Sequence, residues 1–291
     1  MTALAFIVGL LVLFGVAISL GESVGPQIGN GITAPGASPD GDAPQPNNGD
    51  GGPNDGKGAP VGLSVADRGY VLRPTATRFV SGDPVEFRFT IYTLKGAPVQ
   101  EFSPDLEHRM QVIVIRRDLA GYQRIHPVLG AKGEWRAQVL FAQPGSYRAF
   151  VTFLPKNVTQ PVTLGVDLLV PGMFETEPVT QSSNVDNLDD GYSVIREGIL
   201  RPGTTSRLYL HVLHNDVPVG DLQPIAGDVG RLVMLREGDL AFLQVRPIDG
   251  PRQDTTVSFR TNLPTAGYYR LFFDFKHNGE TRTAEFTVLV G

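Results

Sequence analysis

The sequence repeats itself at a spacing of about 120 residues, and this repeat limits the possible folds more than any other feature. Segment 110–127, MQVIVIRRDLAGYQRIHP, corresponds to segment 230–247, GRLVMLREGDLAFLQVRP. Further along, 144–153 (PGSYRAFVTF) corresponds to 266–275 (AGYYRLFFDF). Because the repeated unit is as long as a small domain, we predict two similar domains in tandem.

Both copies consist of short runs with the period of a β-strand. Apolar and polar residues alternate in 85–92, VEFRFTIY, and Gly, Pro, Asn and Asp separate such runs. Every second residue of 147–153 is apolar or aromatic, as is every second residue of 269–275, which predicts one core-facing stripe in each copy. The fold class is therefore all-β. The strand count and the Gly-x-Tyr opening of the aromatic strand predict two tandem immunoglobulin-like antiparallel β-sandwich domains.

Changes in composition place the domain boundaries. We expect β-sandwich domain 1 at 63–172 and β-sandwich domain 2 at 190–291. The segment between them, 173–189, is rich in Ser, Asn, Asp and Glu, so it is predicted to be an inter-domain linker. Residues 22–62 are predicted to form a disordered linker, and 1–21 a transmembrane anchor or signal segment.

The N-terminal prediction depends on an apolar run. Ala3 to Leu20 is a stretch of 18 residues in which Ser19 is the only polar residue. A helix of this length rises ~27 Å, close to the ~30 Å hydrocarbon core of a bilayer. We therefore expect a single-pass protein of the cell membrane, anchored through an N-terminal transmembrane helix, with the C-terminal domains outside the cytoplasm. A cleaved signal segment and a secreted protein form the alternative, because the small residues Ala17 and Ser19 would suit a cleavage site.

The segment that follows has the composition of a tether. Residues 21–60 contain 11 Gly, 7 Pro, five acidic residues, one Lys and no aromatic residue. Such a segment buries too little apolar area to offset the entropy of ordering it, which predicts disorder. Most of the net charge of −5 lies here, so the rest of the chain is nearly neutral. Without a strong excess of basic residues, we expect no nucleic-acid partner.

The chemistry-bearing residues do not form a catalytic set. The chain contains no Cys, which excludes disulfides, thiolate metal sites and cysteine nucleophiles. His211 and His214 are an odd number of residues apart on a predicted strand, so we expect their side chains on opposite faces. His277 precedes an Asn-Gly hairpin turn and is predicted to be a solvated tip. No Ser–His–Asp set and no carboxylate pair recurs in both copies, so we expect no enzyme, no catalytic residues and no organic cofactor site.

One cluster in the first copy merits a metal interpretation. Strand 110–115 is predicted to pair with 122–127 as an antiparallel hairpin, with Gln111 opposite His126. Arg124 then lies on the same face, two residues along. Imidazole and thioether groups near the open end of this hairpin suit copper, although two unrelated surface histidines are the alternative. The candidate metal ligands are His126, His108 and Met110.

These segments also carry a family resemblance. From about residue 63 to 291, together with the apolar run and the tether, the chain resembles a family of actinobacterial membrane-anchored tandem β-sandwich proteins. The resemblance implies His-rich hairpins and a loose link to copper or heavy-metal handling. The segments that carry it are RRDLAGYQRIHP at 116–127, PGSYRAF at 144–150, TLGVDL at 163–168, DLQP at 221–224, LREGDLA at 235–241 and TAEFTV at 283–288.

The chain departs from that family at the hairpin positions. A guanidinium group has no lone pair to offer a metal, so the implied copper site is reduced in copy one and nearly excluded in copy two. A face of Arg and Gln could instead meet an anion or an acidic partner. The family's histidine positions correspond to Gln111, Arg124, His126, Arg231, Gln244 and Arg246, of which one is His.

Three functional hypotheses follow from these observations. The preferred one is a membrane-anchored, extracytoplasmic, non-catalytic binding or scaffold protein with an unidentified protein partner. The alternative is a weak extracytoplasmic copper or heavy-metal carrier that uses domain 1. An enzyme is the least favoured hypothesis, because no catalytic set is visible.

Overall fold

The computed structural model describes residues 61–103, 110–177, 183–225, 227–243, 245–248 and 255–291. The predicted N-terminal anchor and nearly all of the predicted tether lie outside these residues. Within the described ranges, no helix is both long enough and apolar enough to cross a membrane.

The described residues form β-strands and a single 3-10 turn at Ala131–Gly133, which confirms the all-β prediction. The strands of domain 1 are β1 (Ala66–Asp67), β2 (Tyr70–Pro74), β3 (Pro84–Thr93), β4 (Met110–Arg116), β5 (Gln123–Ile125), β6 (Val128–Leu129), β7 (Glu134–Leu140), β8 (Gly145–Phe153) and β9 (Val162–Val170). Those of domain 2 are β10 (Val185–Asn187), β11 (Tyr192–Glu197), β12 (Thr205–His214), β13 (Val217–Pro218), β14 (Arg231–Arg236), β15 (Phe242–Leu243), β16 (Arg246–Pro247), β17 (Thr256–Asn262), β18 (Gly267–His277) and β19 (Glu280–Val290).

Each domain is a sandwich of two antiparallel sheets. In domain 1 the sheet orders are β1-β2-β3-β7-β6 and β5-β4-β8-β9. In domain 2 they are β10-β11-β12-β17-β16, with β13 on β12, and β15-β14-β18-β19. These orders match the A-B-E-D and C′-C-F-G sheets of an immunoglobulin-like fold. We call β5-β4-β8-β9 and β15-β14-β18-β19 the CFG sheets.

The core of each domain lies between its two sheets. The predicted stripe of 147–153 faces the core of domain 1, where Trp135 is 2% exposed. The stripe of 269–275 occupies the same place in domain 2. Each domain has a tyrosine corner, in which a Tyr hydroxyl at the start of the aromatic strand bonds back to the preceding backbone. The Tyr147 hydroxyl donates to the Gln143 carbonyl at 2.7 Å, and the Tyr269 hydroxyl donates to the Thr265 carbonyl at 2.8 Å.

Domain 2 begins earlier than its composition indicates. Strand β10, Val185–Asn187, lies inside the predicted linker 173–189 and pairs with β11. Its side chains are exposed or half-buried. A short edge strand of this kind needs no apolar alternation, so its polar residues resemble a linker in the sequence.

Candidate functional site

The two domains pack against each other through the outer faces of their CFG sheets. Both domains belong to one compact unit, and nine buried apolar residues form a core between them that is separate from either domain core. The two CFG sheets are therefore covered on both faces. The residues of this junction core are Ile113, Ile115, Leu119, Phe150, Val233, Leu235, Leu240, Phe242 and Phe272.

The junction core is built from equivalent positions of the repeat. Ile113 corresponds to Val233 in the repeated segments, and Phe150 corresponds to Phe272. Each domain thus presents nearly the same patch to the other, as the two subunits of a symmetric dimer do. The sequence contains a signal for this packing, because strands that are buried on both faces have continuous apolar runs instead of alternation. VIVI at 112–115 and LVML at 232–235 are such runs.

The end of the predicted tether is fixed across this junction. The Val61 amide donates to the Phe242 carbonyl of domain 2 at 3.0 Å, and the Phe242 amide donates back at 3.3 Å. On domain 1, the Arg148 guanidinium donates to the carbonyls of Gly62 at 2.9 Å and Leu63 at 2.7 Å. Gly165 makes room for this segment, because a Cβ there would lie 1.9 Å from the Gly62 carbonyl oxygen. We call Val61–Leu63 the junction segment.

A buried polar network crosses the junction beside its apolar core. Arg124 of domain 1 forms an ion pair with Asp274 of domain 2, and their side chains are 8% and 3% exposed. The Tyr122 hydroxyl donates to Asp274 Oδ2 at 3.0 Å, and the Thr283 hydroxyl donates to Oδ1 at 2.6 Å. The Tyr122 ring stacks on Phe272 with centroids 4.3 Å apart. One carboxylate therefore accepts hydrogen bonds from three side chains of two domains.

Burial determines the protonation states in this network. It raises the pKa of the Tyr122 phenol, so Tyr122 remains a hydrogen-bond donor to Asp274. For Arg124, burial opposes the charged form, but the nearby Tyr122 and Asp274 outweigh it and leave the pKa raised. Tyr122 and Arg124 therefore both act as hydrogen-bond donors toward Asp274.

A cavity of about 580 Å³ lies beside the network and is lined by both domains. Gln111 and Arg124 reach it from domain 1, and Arg231 reaches it from domain 2. Within the part of the chain that the structure describes, Arg124 Nη2 and Arg231 Nη1 are buried and have no hydrogen-bond partner. Buried guanidinium nitrogens without an acceptor are uncommon and call for an explanation.

Charges of both signs surround the cavity, two arginines and two aspartates. The Arg231 guanidinium lies 3.6 Å from the Asp228 carboxylate, which is a long ion pair. Burial, followed by the charge of Arg124, lowers the pKa of Arg231. Burial, followed by the charges of Arg231 and Arg124, also lowers the pKa of His126, whereas Asp274 opposes this shift. The two unpaired guanidinium nitrogens would donate to a hydrogen-bond acceptor placed in this cavity.

The hairpin register was predicted correctly. Val112 pairs with Ile125, and Ile113 pairs with Arg124, which is the register that puts Gln111 opposite position 126. Arg124 Nη1 donates to Gln111 Oε1 at 2.9 Å, so these two side chains of the hairpin face bond to each other.

The structure does not bring the predicted metal ligands Met110 and His126 together. Met110 is 3% exposed and packs in the core of domain 1, on the face of β4 opposite to Gln111. His126 lies just after β5, and its side chain is partly exposed. His108 lies outside the described residues, so its place in the set is not tested. Among the residues that are described, no three His, Asp or Glu side chains come close enough to hold a metal ion.

The remaining histidines show one wrong and one confirmed prediction. His277 is 8% exposed and not a solvated tip, because its ring turns inward from the hairpin end. Its Nδ1 lies 2.7 Å from the Tyr192 hydroxyl and its Nε2 lies 3.1 Å from Asp221. His214 stacks on the same Tyr192 at 4.3 Å, whereas His211 points to the other face of the strand, as expected.

Several solved structures resemble the chain with low TM-scores. The Escherichia coli adhesin FdeC is 13% identical, with a TM-score of 0.25, over 79% of this chain and 67% of that chain. A tandem of titin Ig domains is 11% identical, with a TM-score of 0.20, over 76% of this chain and 96% of that chain. Domains 4–9 of the surface layer protein SbsC are 18% identical, with a TM-score of 0.21, over 76% and 31%. No curated protein matches the chain significantly.

A family model matches both copies of the repeat. The matched regions are residues 64–168 and 184–291, which together make up most of the chain. They correspond to the two β-sandwiches, and the second region begins one residue before β10. The chain therefore belongs to the family described as a domain of unknown function, DUF8832.

Proposed function

We propose that the chain is a non-catalytic binding and scaffold protein of the cell envelope, in which the two domains act as one rigid body. The observation that carries this proposal is the junction core, which buries nine apolar side chains between the domains. Tandem domains joined only by a linker would reorient freely. A fixed pair instead presents a partner with two surfaces at a constant distance and angle.

The polar network supports a fixed orientation as well as adhesion. An apolar patch alone allows sliding, because the hydrophobic effect is non-directional. The Arg124–Asp274 pair, with its additional bond from Tyr122, is satisfied only at one relative placement of the domains. We infer that the junction serves to hold the domains in register, which is the use that a scaffold has for a buried ion pair.

The location is part of the proposal. The apolar run Ala3–Leu20 and the acidic tether support a single-pass protein whose domains stand outside the cytoplasm, or a secreted form of it. Protease treatment of intact cells would degrade residues 61–291 if this is right. Recovery of an intact, protected chain from the cytosol would contradict it.

Crosslinking on whole cells tests the scaffold role. The wild-type chain and a Phe272→Ala chain, in which the junction is weakened, are compared by photo-crosslinking and mass spectrometry. We expect one reproducible set of envelope proteins with the wild-type chain and its loss with the variant. Specific turnover by the purified full chain on a broad substrate panel, unaffected by Phe272→Ala, would replace the proposal with an enzymatic one.

Weak copper or heavy-metal binding through His126, His108 and Met110 remains a prediction from the family resemblance. The side chains of the hairpin do not favour metal binding, because Met110 is buried in the core of domain 1 and Arg124 cannot ligate a metal. A competitive copper titration compares the full chain with a His126→Ala, His108→Ala double variant and with His211→Ala as control. We expect indistinguishable curves, and tight one-to-one binding lost only in the double variant would establish the carrier instead.

A further inference from the structure

We infer that the cavity between the domains is a binding site for a small organic carboxylate with an apolar body. This goes beyond the scaffold role and does not depend on it, since a ligand site and a partner surface can fail separately. The cavity volume of about 580 Å³ lies within the ~300–1,000 Å³ range of small-molecule pockets.

The positive end of the site consists of two arginines from different domains. Arg124 and Arg231 both line the cavity, and each keeps one buried terminal nitrogen without an acceptor. Leaving such a donor unsatisfied is costly, especially when it is charged. A small rotation of either planar fork toward the cavity would give that nitrogen a carboxylate oxygen as its partner.

The acids near the cavity are already engaged. Asp274 accepts hydrogen bonds from Arg124, Tyr122 and Thr283, which leaves it little capacity for Arg231. Asp228 approaches Arg231 only to 3.6 Å. These two carboxylates offset most of the charge of the two guanidinium groups. The site therefore suits a singly charged carboxylate better than a doubly charged phosphate.

The wall that domain 2 contributes is mostly apolar, which explains the apolar body of the ligand. Leu232, Leu243, Phe242 and Phe259 of domain 2 line it, and their side chains cannot hydrogen-bond to a polar ligand. Pockets of this type combine mostly apolar walls with a few placed polar groups that orient the ligand. A carboxylate at the arginines would direct an aliphatic or aromatic group toward these four residues.

The test uses the purified full chain in a mild detergent and three probes. Phenylacetate carries both expected features, phenylacetamide lacks the charge, and inorganic phosphate lacks the apolar body. Calorimetry measures affinity, and NMR follows the titration of the His126 imidazole, which Arg231, Arg124 and Asp274 influence. We expect phenylacetate to bind at least about tenfold more tightly than either other probe, since a hydrogen bond to a charged group is worth about that factor.

His126 supplies a readout that is independent of affinity. A bound anion favours the imidazolium, so phenylacetate should raise the pKa of His126, whereas phenylacetamide should not. Arg231→Gln should weaken phenylacetate binding about tenfold or more. Arg136→Gln, at a 45% exposed arginine outside the cavity, is the matched control and should change nothing.

Equal affinity for phenylacetate and phenylacetamide would overturn the inference, as would a preference for phosphate or no binding of any probe. Phenylacetate and phenylacetamide are compared by affinity and by the pKa of His126 in the wild-type chain. Both comparisons therefore remain decisive even if Arg231→Gln does not fold. None of these outcomes bears on the crosslinked partners, which keeps the scaffold proposal separately testable.

Discussion

Asp274 is the residue that makes the junction specific. It corresponds to Thr152 in the first copy, where the hydroxyl instead lies 2.9 Å from the Thr163 hydroxyl within the same sheet. A carboxylate at this position reaches into the other domain, and a hydroxyl does not. The repeat therefore carries its buried acid once, on one side of a nearly symmetric contact.

Asp274→Asn should destabilise the whole chain. The variant leaves the 8% exposed Arg124 without its counter-charge, and removing one partner of a buried pair costs about 3–5 kcal/mol. Urea unfolding of the full chain measures this loss. Glu101→Gln is the control, because Glu101 and Lys156 form an exposed pair for which we expect about 0–1 kcal/mol. Similar losses in both variants would show that Asp274 contributes no more than a surface charge.

Asp118 should make stability depend on acid pH. Burial raises its pKa, but hydrogen bonds from Arg116 and from backbone amides outweigh burial, so the pKa lies below the ordinary value of 3.8. A carboxyl with a lowered folded-state pKa stabilises the fold above 3.8 and loses that contribution as the pH falls through the lowered value. We expect the free energy of unfolding to drop less steeply below about pH 4 in Asp118→Asn than in the wild-type chain. Parallel pH profiles for the two proteins would contradict this.

Among the elements, the three-residue junction segment Val61–Leu63 connects the two sandwiches. It bonds to domain 2 through Phe242 and to domain 1 through Arg148. Its first two residues belong to the predicted disordered linker 22–62, so that prediction is wrong for Val61 and Gly62.

Gly165→Ala should release this segment without unfolding a domain. The added Cβ would lie 1.9 Å from the Gly62 carbonyl oxygen, a distance that requires the segment to move. We expect faster hydrogen exchange at the amides of Val61 and Phe242, and the same change in Arg148→Met. Arg270→Met is the control, because Arg270 is the equivalent of Arg148 in domain 2 but bonds to Thr287 and Glu285. Faster exchange in all three variants would show a general loosening instead.

The elements show how far the sequence was informative. Alternation predicted strands such as 85–92 and both core stripes, and the antiparallel pairing of 110–115 with 122–127 predicted the register of the β4–β5 hairpin, because both depend on residues that are close in sequence. Polar strand β10 and the junction segment were missed, since their structure comes from pairing with distant strands and not from their own pattern. The inward turn of His277 likewise depends on Tyr192, which is 85 residues away in sequence.

The candidate site was predictable only in part for the same reason. The repeat placed Gln111 and Arg231 at equivalent positions, the resemblance placed both of them and Arg124 at histidine positions of the family, and the cavity has all three in its lining. In the sequence, Asp274, the ion-pair partner of Arg124, is only one polar residue within the aromatic strand 266–275. Only the packing of one CFG sheet on the other reveals why a carboxylate stands there.

On the scale of the whole molecule, the junction should make the two domains unfold together. Phe272 is fully buried in the junction core and stacks on Tyr122, so Phe272→Ala should cost about 3–5 kcal/mol. We expect the single unfolding transition of the wild-type chain to split into two in this variant. The chain has no native Cys, so spin labels at Ala76→Cys and Val217→Cys report the distance between the domains. The distribution of that distance should broaden in Phe272→Ala.

Phe286→Ala separates loss of stability from loss of orientation. Phe286 lies in the core of domain 2 and not in the junction core, so its removal should lower stability by a similar amount while the inter-label distance stays narrow. A broad distance already present in the wild-type chain would contradict the rigid-body proposal.

The near-symmetry of the junction core has an evolutionary consequence. Two copies of one domain that meet through the same patch have the arrangement of a homodimer whose subunits have been joined into one polypeptide. A homodimer encoded by one gene must carry every site that lies off its two-fold axis twice. After gene duplication and fusion, each half can change alone, which is how Asp274 can face Arg124 on one side while Thr152 occupies the matching position on the other. Arg124 and Arg231 also occupy non-equivalent positions of the repeat, so a cavity lined by these two arginines is an asymmetry that fusion permits.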